Sequence, residues 1–235
     1  VAGSWLLANF VRDFPVRLGR LGHTCRLGIR GVAEGRALQG NGRRFLFGLH
    51  LLLVQSFDLL GGPEIAQFFF RLIGHTTPLT TEEIAMITAV LGENGMRYQD
   101  VRIAEGGGLN LIFRWNGNLA FTAWYTICLP QAPANHSRTN RGLLVHELAH
   151  VYQHEKVGTR YMTEAIYLLI RTRRDCYGYG GTAGLTQAHQ QQKQFAAFNR
   201  EQQAQIVQDY YTKKEAGADT TPYEPFIQQL RQGVL

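Results

Sequence analysis

Apolar and polar positions along this 235-residue chain alternate with two different periods. Phe45 to Leu60 and Glu64 to Ile73 are apolar runs of helical character, separated by Gly61-Gly62-Pro63, with Pro63 suited to a first helical turn. Thr80 and Glu83 form a capping box for a helix ending before Gly92. Beyond it the period shortens. Val101 to Ala104 and Leu109 to Trp115 are expected as strands, Asn116-Gly117 as a hairpin turn, and Leu119 to Leu129 as a further strand rich in aromatic and β-branched residues. Helical spacing then returns, with Thr139 or Asn140 as N-cap and Gly158 as the stop, followed by a helix from Arg160 to Arg174. Asn199 and Gln202 cap another helix.

This pattern predicts an α+β protein with a small antiparallel sheet, a helix directly after it, and a mainly helical C-terminal part. An N-terminal helical hairpin precedes these elements. We expect a basic amphipathic arm over 1–45, an apolar helical hairpin over 46–76 and a catalytic-type domain over 77–235. The first apolar run holds His50, Gln55 and Asp58 and falls short of the ~20 residues that cross a bilayer.

Charge changes the picture only at the N-terminal end. Residues 1–45 carry eight Arg against Asp13 and Glu34, and so hold all of the net +6. These arginines are interleaved with Trp5, Leu6, Leu7, Phe10, Val11, Phe14 and Leu18, which suits an anionic membrane surface or a protein assembly as partner. No aromatic–basic ladder points to nucleic acid. Cys25, Cys128 and Cys176 are widely spaced and odd in number, which favours a reducing compartment. Cys128 is expected in the core, and His50 and His75 as structural histidines.

The sharpest chemical signal is His146-Glu147-Leu148-Ala149-His150, an H-E-x-x-H motif on a helix. Residues four apart share one helix face about 6 Å apart along the axis, so both imidazoles can converge on one zinc ion. Glu147 then lies beside the metal's water as general base. His154 is about 12 Å from His146 along the axis and cannot share that ion. The glycine and third histidine of metzincins are replaced by Gln153 and Lys156. The third ligand is therefore expected to be a downstream acid, with Glu201 ahead of Glu164 and Asp175. Ala204 and Ile206-Val207 beside Glu201 suggest core packing, where a carboxylate needs a partner. Tyr161, Tyr177 and Tyr179 are candidates to stabilise an oxyanion, with no basis for choosing among them.

From Leu79 to Gln232 the chain resembles a family of zincin-like metallopeptidases associated with bacterial type VI secretion and contractile injection systems, often described as VgrG-related. The resemblance rests on the L-T-x-E-E-I helix start at Leu79, the V-H-E-L-A-H-V-Y-Q core around His146, the F-N-R-E-Q-Q-A-Q-I-V segment around Glu201, and Tyr223-Glu224-Pro225-Phe226-Ile227. It implies a minimal gluzincin fold, His146, His150 and Glu201 as zinc ligands, and Glu147 as the base. Tyr152 departs from the Trp of many relatives. Gln205 stands where thermolysin-like enzymes carry an outer-shell Asp, a departure that leaves the ligands' outer support weaker than the resemblance implies.

Two functions follow as expectations. The first is zinc-dependent hydrolysis of a peptide or protein substrate, with Glu147 moving the proton and an edge strand able to bind extended peptide. The alternative is a zinc-binding subunit without turnover, associated with a membrane or an assembly. An intact Glu147 favours the first, because a structural zinc has no use for a general base. The basic arm and apolar hairpin favour the second. The expected location is bacterial, cytoplasmic or peripheral at the inner membrane.

Overall fold

Ten α-helices and one four-stranded sheet account for most of residues 2–33, 42–93 and 95–235, the part of the chain that this computed structural model describes. Side chains are described for 5–27, 47–93, 95–134, 136–172 and 175–235. The stretch 34–41 of the expected basic arm lies outside the described residues.

Two units are distinguished by their contacts: residues 1–69 with 158–160, and residues 70–157 with 161–235. The first contains α1 (Ala2–Ala33), α2 (Gly42–Leu59) and most of α3 (Gly62–Ile73). Arg17 of α1 donates to the Asp58 carbonyl (2.7 Å) and to both carboxylate oxygens of Glu64, one at 2.8 Å. Asp58 accepts from the Thr159 amide (3.0 Å) and from its hydroxyl. Polar pairs thus tie this unit together.

The second unit opens with β1 (His75–Pro78) and α4 (Thr81–Leu91), whose start carries the expected Thr80–Glu83 capping box. Then come β2 (Arg102–Glu105), α5 (Leu109–Asn116), β3 (Phe121–Ala123) and β4 (Thr126–Leu129). The remaining helices are α6 (Arg141–Val157), α7 (Arg160–Thr172), α8 (Gly181–Gln190), α9 (Arg200–Glu215) and α10 (Glu224–Arg231).

The sheet corrects the expectation of an all-antiparallel arrangement. Its order is β1-β2-β4-β3, with β2 and β4 parallel and the outer pairs antiparallel. The reason lies in residues 109–116, which form a helix rather than a strand. Leu109 and Phe113 stand four apart and are both buried, so the same letters satisfy a helical face. Gly117 closes that helix in the left-handed conformation (φ +77°), and the Asn116 side chain bonds the Leu119 backbone. The Asn-Gly pair is a helix stop, not a hairpin turn. Parallel strands need a crossover, and α5 lies within it.

Leu119 to Leu129 likewise is not one strand. It folds back at Trp124-Tyr125, where Trp124 takes a positive φ of 59°. Cys128 sits fully buried on β4, as expected of a core residue. The main core joins Ile87, Val90, Ile103 and Ile127 to Leu144, Leu148, Val151 and Tyr152 of α6, and to Ile206, Val207, Phe226 and Ile227 from the C-terminal helices. Helix α6 packs on α9 and on β3 and β4, so its motif face is held between the sheet and the C-terminal part.

Candidate metal centre

Helix α6 starts where Asn140 accepts from the Leu143 amide (3.0 Å) and stops at Gly158, whose φ is +70°. Within it His146, Glu147 and His150 are all buried. Helix α9 starts at Asn199, which accepts from the Gln202 amide while Gln202 returns the bond to the Asn199 amide. That capping box fixes Glu201 in the first turn, on the side facing α6. Its Oε2 lies 3.3 Å from His146 Nε2 and 3.4 Å from His150 Nε2.

These three side chains form a buried group able to hold a metal ion, with ligand atoms all within 4.8 Å of one another. Tetrahedral zinc with nitrogen and oxygen ligands at about 2.0–2.2 Å places them roughly 3.3–3.6 Å apart. The two His–Glu separations meet that requirement. They are longer than the ~2.7–2.9 Å of a direct charge-assisted hydrogen bond. Two imidazole nitrogens and one carboxylate suit a borderline divalent metal better than a hard one.

The other sequence candidates are placed elsewhere. Glu164 accepts from Arg200 Nε (2.8 Å), and Asp175 lies in the 3₁₀ turn Arg173–Tyr177, outside the group. His154 sets its ring edge-on to Tyr125, 5.1 Å between centroids.

Electrostatics couple the three side chains. Burial lowers the His150 imidazolium's pKa, but the Glu201 charge and hydrogen bond, with Glu147 behind them, outweigh it and raise the pKa to about 9. Burial pushes the Glu201 carboxyl up, while the two imidazoles hold it well below the usual carboxylate range. In the metal-free cluster His150 therefore keeps its proton and Glu201 its charge.

Two supporting residues, Gln153 and Thr122, gave no local sequence signal, and a third, Tyr161, was expected in a different role. Gln153 Oε1 lies 2.8 Å from His150 Nδ1, while its amide nitrogen donates to the Arg200 carbonyl (2.9 Å) and to Gln203 Oε1 (3.1 Å). This directs Nε2 of His150 toward the cluster. Thr122 of β3 brings its hydroxyl to 2.7 Å from Glu147 Oε2 and 3.0 Å from the Glu147 carbonyl. Tyr161 donates to the Thr122 carbonyl (2.9 Å) and accepts from the Trp124 amide (3.0 Å).

The three tyrosine candidates for an oxyanion role separate accordingly. The Tyr161 hydroxyl is engaged by the β3 backbone. Tyr179 bonds Asp209 and Tyr223 and does not line the cleft. Tyr177 does line it, with its ring centroid 5.9 Å from that of His146. Tyr161 also changes the expectation of strand addition: the Thr122 carbonyl and Trp124 amide, which an added strand would use, are already bonded.

A cleft of about 810 Å³ opens over the cluster. Ile112, Phe121, Met162, Ala165, Ile166 and Leu169 make much of its wall, and Glu147, His146, His150 and Glu201 lie along its polar side. Such an arrangement can bind an apolar group beside an activated water or carbonyl.

Residues 87–158, from α4 to the end of the motif helix, match the family model described as the eCIS core domain. The match covers less than a third of the chain and is consistent with a contractile-injection-associated family. Neither a curated protein nor a solved structure matches the chain. No helix among the described residues is long and apolar enough to cross a membrane.

Proposed function

We propose that this protein is a zinc-dependent peptidase. The observation that carries the reading is the convergence of His146, His150 and Glu201 beside a buried Glu147 at the floor of a large apolar cleft. A bound zinc would supply Lewis acidity, polarising a peptide carbonyl and making water acidic enough to ionise near neutral pH. Glu147, held by Thr122, accepts a proton from the attacking water and delivers it to the leaving amine. Gln153 fixes the tautomer of His150. Of the three tyrosines, Tyr177 lines the cleft beside His146, which supports it as the donor toward a developing oxyanion. The apolar wall favours a substrate with a large aliphatic or aromatic side chain next to the scissile bond.

The test is metal content and peptide turnover measured together on the wild type and Glu147→Gln. The expected result is one zinc per chain in both forms, with cleavage of a quenched peptide library only in the wild type. Equal cleavage by the Gln form would overturn the mechanism.

The eCIS core match supports a second reading, a subunit of an extracellular contractile injection assembly that keeps its metal for stability. On that reading Glu147→Gln changes nothing measurable, and metal removal dissociates the protein from the assembly.

A further inference from the structure

The N-terminal unit is amphipathic the wrong way round for a water-facing helical body. On α1, Asn9, Asp13, Arg17 and Arg20 fall on one face at helical spacing, with Asn9 and Arg17 buried. The opposite face presents Leu7, Val11, Phe14 and Leu18, all exposed. Helix α2 turns Asp58 inward and Leu49 and Leu53 outward. Helix α3 turns Glu64 and Gln67 inward and Ile65 and Phe69 outward. Among the described residues of this unit, Val54 and Pro63 are the apolar side chains that are buried. Leu7 and Leu53 are each 64% exposed, where an amphipathic helix in water would bury its apolar stripe.

We propose that this unit seats in the interfacial layer of an anionic lipid bilayer, its apolar stripes among the acyl chains and its arginines among the headgroup phosphates. Three observations converge on lipid. Polar pairs hold the helices together, the device needed where an apolar surrounding removes the hydrophobic drive between helices. The whole net charge of +6 lies in residues 1–45, and Arg26, Arg30, Arg36, Arg43 and Arg44 cluster along the sequence from the end of α1 to the start of α2. No described helix is long and apolar enough to span, so the unit lies in the surface rather than crossing it.

Other occupants fit less well. A second copy would bring two strongly cationic units together. A protein groove would have to match three separate stripes on three helices, whereas fluid acyl chains need no matched shape. The proposal does not depend on the metal centre, and loss of catalysis would leave it intact.

The experiment is co-sedimentation of the full chain with vesicles of phosphatidylglycerol and phosphatidylcholine, set against phosphatidylcholine alone. Binding is expected to the anionic vesicles, to be at least about tenfold weaker on neutral ones, and to weaken as salt rises. Leu7→Glu and Leu53→Glu should each lower it by about tenfold with helicity unchanged, since both positions are exposed. On the wild type, amide exchange should slow over 5–27 and 47–60 with anionic vesicles and not with neutral ones. Three results would overturn the proposal: no binding to anionic vesicles, binding indifferent to the Glu substitutions, or a vesicle-free dimer that the same substitutions disperse. The dimer would assign the surface to a second copy.

Discussion

Gln153 stands one turn beyond His150 on the same helix and accepts its Nδ1 proton at 2.8 Å, so a candidate ligand's ring orientation is set from within the motif helix itself. Gln153 is in turn held by the Arg200 carbonyl and Gln203, on the turn of α9 that also carries Glu201. One glutamine thus joins the two helices that supply all three candidate ligands. It serves His150 alone, and Nδ1 of His146 is buried without such a partner among the described residues.

Gln153→Leu should therefore weaken metal binding without removing any ligand. Loss of a hydrogen bond behind a ligating histidine costs about 10- to 100-fold in affinity. Zinc competition against a chromophoric chelator measures it. Unchanged affinity would mean that His150 is oriented by its packing alone.

Thr122→Val tests the strand's hold on Glu147. Valine nearly matches threonine in volume, so the change removes the hydroxyl that reaches Glu147 Oε2 and little else. A buried carboxylate left short of a donor costs about 1–3 kcal/mol. Urea denaturation should show that loss in the wild-type background and a much smaller one in Glu147→Gln, whose neutral amide depends less on the hydroxyl. Equal losses in both backgrounds would show that the hydroxyl serves the Glu147 backbone carbonyl instead.

The motif helix, its caps and both capping boxes were legible in the sequence because each depends on residues within four positions of one another. Glu201 was within reach because an acid beside Ile206 and Val207 has few other reasons to be buried. Gln153 and Thr122 were not legible, and Tyr161 was legible only as an oxyanion candidate, not as a brace for β3. Their roles depend on where β3, α7 and α9 come to rest, and their letters carry no local pattern. The error over residues 109–116 has the same origin. Leu-Asn-Leu-Ile-Phe-Arg-Trp fits a strand nearly as well as a helix, and burial of Leu109 and Phe113 in one cluster decides between them. The wrong strand then implied an antiparallel sheet where a crossover makes β2 and β4 parallel.

The metal-free cluster should give stability a distinctive pH dependence. His150 has its pKa raised to about 9, so its contribution is complete below the unfolded value of about 6.5 and is lost as pH rises through 9. Glu201 is depressed, so its contribution is complete above about 4.5 and is lost as pH falls toward its folded value. In chelator the melting temperature should be highest between about 4.5 and 6.5 and decline from there to pH 9. With zinc the decline should vanish or reverse, because the metal takes the place of the His150 proton. A chelated protein equally stable at pH 6 and 9 would refute the coupling of His150 to Glu201.

Tyr161→Phe is the most direct test of how the cleft wall is kept in shape. The hydroxyl joins two backbone groups of the β3–β4 hairpin, one of them the amide of Trp124, which already bears the strain of a positive φ. Phenylalanine preserves the ring that packs between His150 and His154 but leaves the Thr122 carbonyl and the Trp124 amide without that partner. Stability should fall by about 1–3 kcal/mol, readable by thermal or urea unfolding. Zinc affinity should stay within about threefold, since the hydroxyl touches no ligand. The freed carbonyl and amide also restore an edge to β3, so the variant should pair with extended peptides or with itself more readily than the wild type. A variant as stable as the wild type and no more prone to associate would show that water satisfies both groups, and that Tyr161 guards nothing.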